Sequence, residues 1–157
     1  MELILWRHAE AEDPGPRGDL ARELTKKGRR QAEAMAAWLR PRLEGEWRVL
    51  ASPAARAVQT ATALGVDYEV RPRLDPASRA EDYLREAGWP SGMNTILVGH
   101  QPTLGEVASM LMGRRGDVAV KKGAVWWFVA RERHGAVETV LKVVIDPGML
   151  SASEDAP

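Results

Sequence analysis

Five residues of this chain have the types and positions to do chemistry together. Arg7 and His8 follow directly on the apolar run Leu3-Ile4-Leu5-Trp6, Ser52 and Arg56 follow Val49-Leu50-Ala51, and His100 follows Ile96-Leu97-Val98-Gly99. Each stands just past a short continuous apolar segment, the pattern of a strand buried on both faces. Two guanidinium groups and two imidazoles make a site for a dianion, and arginine forks match phosphate oxygens bidentately. A neutral imidazole is also a competent nucleophile toward phosphorus, provided the arginines neutralise the transferring oxygens. His8 is expected neutral for attack and His100 is expected to donate to the anion.

The elements around these residues explain how they would meet. Strand–helix–strand units with right-handed crossovers make their strands parallel, so the three carboxyl ends share one edge of a sheet, the edge where open α/β sheets bind ligands. Thr25 is placed to cap a helix whose core stripe is Ala32, Met35, Ala36 and Leu39. Ser52-Pro53 has the form of an N-cap with proline at N1, opening a helix through Arg56 to about Leu64, with Gly65 at C′. An arginine on that first turn opposes the helix dipole, and with the free amide groups there it forms an anion site. Ser78-x-x-Glu81 and Thr103-x-x-Glu106 have capping-box spacing. Asp67–Val70 reads as a short strand. Ala124–Ala130 and Val137–Ile145 read as strands joined by a turn at Arg131–Gly135. The segment Glu12–Asp19 is a loop by composition that starts where the site lies. The tail from about residue 147 is expected to fray. The fold class is α/β: a three-layer α/β/α sandwich on a mostly parallel sheet with a C-terminal antiparallel hairpin, in a single domain spanning 1–157.

Composition narrows the class. A chain of 157 residues with 45% apolar and 28% charged residues is of ordinary globular type. Net charge is zero, so no broad nucleic-acid footprint is expected. No apolar run reaches bilayer-spanning length and no signal peptide is visible, so no membrane partner and a cytoplasmic location are expected. Without cysteine, thiol nucleophiles and Cys-ligated metals are excluded. The sequence has no phosphate-binding G-x-x-x-x-G-K-[ST] loop, no H-E-x-x-H and no Asp-rich metal loop. No metal and no cofactor are therefore expected. Arg114, Arg115, Lys121 and Lys122 flank a loop, as a solvated charge run or as a guide for an acidic partner.

Taken together, Arg7-His8-Ala9, Leu24-Thr25-x-x-Gly28, Ser52-Pro53-x-x-Arg56-Ala57-x-Gln59-Thr60 and Gly99-His100-x-Pro102 resemble the histidine phosphatase (phosphoglycerate-mutase-like) superfamily. Within it the short chain is similar to the small bacterial phosphohistidine phosphatases. The resemblance covers roughly residues 1–145. It implies a covalent phosphohistidine intermediate on His8, with Arg7, Arg56 and His100 holding the phosphoryl group, and Ser52 and Gln101 as further phosphate or substrate contacts. Ala9 departs from the glycine usual after that histidine, a change tolerable at negative φ. Many relatives carry a proton-donating glutamate in a Leu-x-Glu context. Here the segment is Leu74-Asp75-Pro76, with proline at that place, so Asp75 is either a substitute acid or a helix cap. An alkoxide leaving group wants a proton, whereas a phosphorylated imidazole protonated on its other nitrogen leaves as neutral imidazole. About 40 residues separate Thr60 from His100, too few for the cap-like insertion of many small-ester relatives. The leading expectation is a metal-independent phosphatase of phosphohistidine on a protein domain. A phosphatase of small phosphomonoesters, such as sugar phosphates or nucleotides, is the alternative, and a non-catalytic phosphate-binding module a third.

Overall fold

Every side chain of Leu3-Ile4-Leu5-Trp6 is buried, because the strand they form has helices over both faces. The computed structural model describes residues 1–150. Its strands are β1 (Glu2–Arg7), β2 (Arg48–Ala51), β3 (Glu69–Val70), β4 (Thr95–Gly99), β5 (Val125–Arg133) and β6 (Ala136–Ile145). Its helices are α1 (Lys26–Leu39), α2 (Ala55–Thr62), α3 (Ala80–Ala87) and α4 (Thr103–Leu111). The sheet order is β3-β2-β4-β1-β5-β6. The first four strands run parallel, β5 runs antiparallel to β1, and β6 antiparallel to β5.

Alternation along the central strands builds two cores. Leu3, Leu5, Leu50, Leu97 and Phe128 face α3 and α4, which contribute Tyr83, Leu104 and Val107. Ile4, Trp6, Val49, Val98 and Trp127 face α1 and α2, which contribute Met35, Leu39 and Ala57. This is the expected three-layer sandwich with its C-terminal hairpin. Each fully buried Leu or Ile contributes roughly 1.5–3 kcal/mol, so the central strands, not the exposed two-residue β3, hold the edge that carries the site.

Local starts and stops depart from expectation where tertiary partners compete. Thr25 does cap α1, accepting from Gly28 N at 2.9 Å. Ser52 does not cap α2, which begins at Ala55 with Ala54 at the cap and ends at Thr62. The capping box of α3 is displaced by one residue: Asp82 accepts from Arg79 N at 3.0 Å, while the Ser78 hydroxyl donates to Asp75 at 2.7 Å. Thr103 is inside α4, its hydroxyl turned to Ser78 O at 3.1 Å. The hairpin closes in two residues rather than five, because His134 (φ +54) and Gly135 (φ +77) both accept the left-handed backbone that a tight turn needs. Residues 147–150 are not frayed. Pro147–Met149 form a 3-10 turn with Pro147 buried and Asp146 accepting from Gly148 N at 2.9 Å. The rest of the expected frayed tail, 151–157, lies outside the described residues.

Candidate active site

The three strand ends are joined by the main chain. In the sheet Arg7 pairs with Gly99, and Ala51 with Val98. Beyond it, His8 N donates to Gly99 O at 3.1 Å and Ser52 N to Val98 O at 3.0 Å. The residue after each strand is thus fixed beside its neighbour, and the His8 and His100 ring centroids lie 5.2 Å apart. Arg7, His8, Arg56 and His100 come together as the sequence implied.

His8 is 7% exposed. Its Nδ1 lies 2.7 Å from Ala9 O. A carbonyl only accepts, so Nδ1 carries the proton and Nε2 keeps a lone pair. That lone pair faces Arg56, whose Nε donates to it at 3.3 Å. Ala9 is fully buried, its amide donating to Thr60 Oγ1 at 3.1 Å, and its φ is not positive. Alanine therefore serves where relatives carry glycine. Gly28 holds the same turn from the other side. A Cβ there would run into Glu10 O, and Thr25 reinforces the approach by donating to Glu10 Oε2 at 2.7 Å.

His100 is held by its opposite nitrogen. Nε2 lies 2.7 Å from Ser52 Oγ, which also accepts from Ala54 N at 3.1 Å. The Ser52 hydroxyl is fully buried; when it donates to His100 Nε2, the ring carries its own proton on Nδ1. Nδ1 is 3.5 Å from Arg56 Nη2, so both nitrogens border the same space. Beneath, Tyr83 accepts from His100 N at 3.3 Å and donates to Leu74 O at 2.9 Å. Gly99 leaves room for that ring, since a Cβ would meet Tyr83 Oη at 2.7 Å.

Burial, first of all, pushes both imidazoles down: His8 to about 4, with Arg56, Arg7 and Arg22 adding repulsion, and His100 to about 3, with His8, Arg56 and Arg7 adding theirs. Both are neutral at pH 7. Arg7 Nη1 donates to Val120 O at 2.8 Å, while its buried Nε has no protein partner among the described residues.

The other expected contacts are placed as follows. Ser52 touches His100. Gln101 spans two main-chain groups, donating to Val118 O at 2.7 Å and accepting from Gly105 N at 3.0 Å. Asp75 accepts from Ala77 N at 3.1 Å and Ser78 Oγ at 2.7 Å, both through Oδ1, which closes a turn ahead of α3 rather than capping a helix at Pro76. Among the described residues no three His, Asp or Glu side chains are grouped to hold a metal, and no helix is long and apolar enough to cross a membrane.

Two residues of the site were not picked out from sequence. Asp19 accepts from Arg56 Nη2 at 3.1 Å, and Arg22 donates to Asp19 at 3.1 Å. Their signal was weak: a charged pair three apart at the end of a loop that starts at the site.

The profile of the histidine phosphatase superfamily (branch 1) matches residues 3–90. The chain belongs to the histidine phosphatase superfamily. It is also 30% identical over 135 residues to a phosphohistidine phosphatase SixA homologue from Haemophilus influenzae, covering 76% of this chain and 82% of that one. An uncharacterised protein from Mycobacterium tuberculosis is 36% identical over 121 residues, 73% of this chain and 75% of its own. Among solved structures, the protein histidine phosphatase SixA complexed with tungstate superposes with a TM-score of 0.79 at 26% identity, covering 96% of this chain and all of that one. The chain is a phosphatase of this superfamily, with a SixA-like fold.

Proposed function

We propose that this histidine phosphatase hydrolyses phosphohistidine displayed on a protein partner, without a metal, through a phosphoryl intermediate on His8. The observation that carries the reading is the His8 ring, locked by Ala9 O so that a neutral Nε2 faces the Arg56 guanidinium. In the first step His8 Nε2 bonds to phosphorus as the P–N bond of the substrate breaks, and the leaving imidazole departs neutral, its other nitrogen already protonated. Arg7, Arg56 and His100 Nδ1–H stabilise the three equatorial oxygens. Water then attacks phosphorus, His8 leaves, and inorganic phosphate is released.

The path from Thr60 to His100 supports a substrate that comes from outside. It runs through β3 and a 3-10 turn into α3, whose Ala80, Tyr83 and Ala87 are buried against the sheet, so this stretch supplies core rather than a cap. The SixA likeness points the same way. The test is kcat/KM for a histidine-phosphorylated carrier domain against a small phosphomonoester, with and without EDTA. Preference for the carrier, unaffected by EDTA, is expected. Preference for the ester would overturn the substrate assignment and make Asp75 the first acid to mutate. Strong EDTA inhibition would end the metal-free mechanism.

A further inference from the structure

Arg56 is 4% exposed, and two of its three donor nitrogens are already matched by one residue. Nη1 donates to Asp19 O at 2.8 Å and Nη2 to Asp19 Oδ2 at 3.1 Å. Two oxygens on a guanidinium fork is the arrangement a phosphoryl group makes with arginine. Nη2 is also the corner that faces His100 Nδ1 at 3.5 Å, so the carboxylate lies against the donors the phosphoryl group needs. The other carboxylate oxygen accepts Arg22 Nη1 at 3.1 Å. The Arg22 and Arg56 guanidinium groups hold the carboxyl below the usual aspartate range, so it carries its charge at pH 7.

Asp19 differs from the other groups of the site in being reachable: it is half-exposed. Its place is set by the backbone. Gly18, immediately before it, has φ +90 and ψ 177, a region that belongs essentially to glycine. Nothing stands within 4 Å of where a Cβ would go at Gly18, so the requirement is for the bend and not for space.

We infer that Asp19 is an internal competitor for Arg56: its carboxylate and the phosphoryl group exclude one another there, and this sets the affinity for free phosphate. The inference rests on the phosphatase reading above. A free anion must displace the carboxylate from Nη2 and then lie beside its negative charge, and both effects weaken binding. The displaced carboxylate keeps Arg22 as its partner through Oδ1, so it is never left uncompensated. A phosphoryl group carried by a protein domain brings further contacts that offset this opposition, whereas inorganic phosphate, the product, brings none. Asp19 thereby favours product release and keeps the site from filling with phosphate.

If Asp19 were a brace that orients Arg56, its removal would weaken anion binding; as a competitor, its removal strengthens it. The experiment is calorimetric titration of the full chain and its Asp19→Asn and Asp19→Ala variants with inorganic phosphate. The dissociation constant is expected to fall by about tenfold in Asp19→Ala, the worth of one charge-assisted contact given up. A smaller fall is expected in Asp19→Asn, which keeps the shape and the main-chain contact. In turnover, KM should fall with it while kcat does not rise. An unchanged or weaker affinity in Asp19→Ala, with the unmutated chain still binding phosphate, overturns this role and leaves the phosphatase reading standing. If neither the unmutated chain nor the variants bind phosphate, the assignment of this cluster as the phosphoryl site in the proposed mechanism falls as well.

Discussion

Two turns at the same sheet edge each carry a histidine, and they grip it by opposite nitrogens. After β1, the Ala9 carbonyl takes the Nδ1 proton of His8 and leaves Nε2 with a lone pair toward Arg56. After β4, Ser52 Oγ holds His100 by Nε2 and leaves Nδ1 toward the same guanidinium; with the hydroxyl proton on Nε2, Nδ1 is a donor. On the proposed mechanism, identical side chains one residue past the ends of two parallel strands become a nucleophile and a donor through one hydrogen bond each. What sets the role is the partner on the far side of the ring, a second-layer contact of the kind that fixes histidine tautomers generally.

Replacing one histidine and then the other tests that division. His8→Ala should lower turnover by a factor on the order of 10³ or more, and rapid-quench labelling should find no acid-labile phosphoenzyme. His100→Ala should lower kcat by about 10²–10³, the usual worth of one preorganised donor, while a phosphoenzyme still forms. If His100→Ala also abolishes the phosphoenzyme, the two rings do not divide the work as described. Ser52→Ala should cost about tenfold in kcat with little change in KM, since it loosens a tautomer without touching the anion. Nitrogen NMR of the His100 ring should then show mixed tautomers, and a single unchanged tautomer would break the assignment. The smallest effect is an absence of change. With His8 near 4 and His100 near 3, protonation of the free enzyme should not cut kcat/KM between pH 7 and about pH 5. A fall centred on the ordinary histidine value of about 6.5 would contradict the burial argument. Stability carries the same sign. Both folded values lie below the unfolded one, so the contribution of these neutral rings is full above about pH 6.5 and is lost as pH falls toward the folded values.

The architecture was legible because the central strands are unbroken apolar runs, and only a sheet covered on both faces uses such runs. The histidines and Arg7 were legible because they stand directly after those runs, and Arg56 because it sits on the first turn of the helix that follows one. Helix starts were not. Ser52, Ser78 and Thr103 all look like caps, yet each hydroxyl is drawn to a partner remote in sequence or to a competing turn: His100, Asp75 and Ser78 O respectively. Local spacing describes what a hydroxyl can do for its own helix and says nothing of a better-placed acceptor elsewhere. Asp19 and Arg22 stayed hidden for a related reason. Their meaning depends on the path of an eight-residue, glycine- and proline-rich segment, and the bend at Gly18 that turns Asp19 onto Arg56 leaves no periodic trace. Tyr83 sits on an ordinary helical stripe and is marked by nothing but its hydroxyl, which turns out to support the main chain of His100.

The place of β1 in the sheet also governs when activity can appear during folding. β1 precedes in the chain both strands that flank it, β4 and β5. Its four apolar side chains have no sheet to enter until residues nearly a hundred positions further on have formed theirs. Helices α1 and α2 can nucleate on local contacts, but His8 meets His100 only when β1 is inserted between its late neighbours. Long-range parallel pairing is slow to close, so recovered catalysis should trail helical signal on refolding. Until then β1 is the segment most open to capture by other unfolded chains.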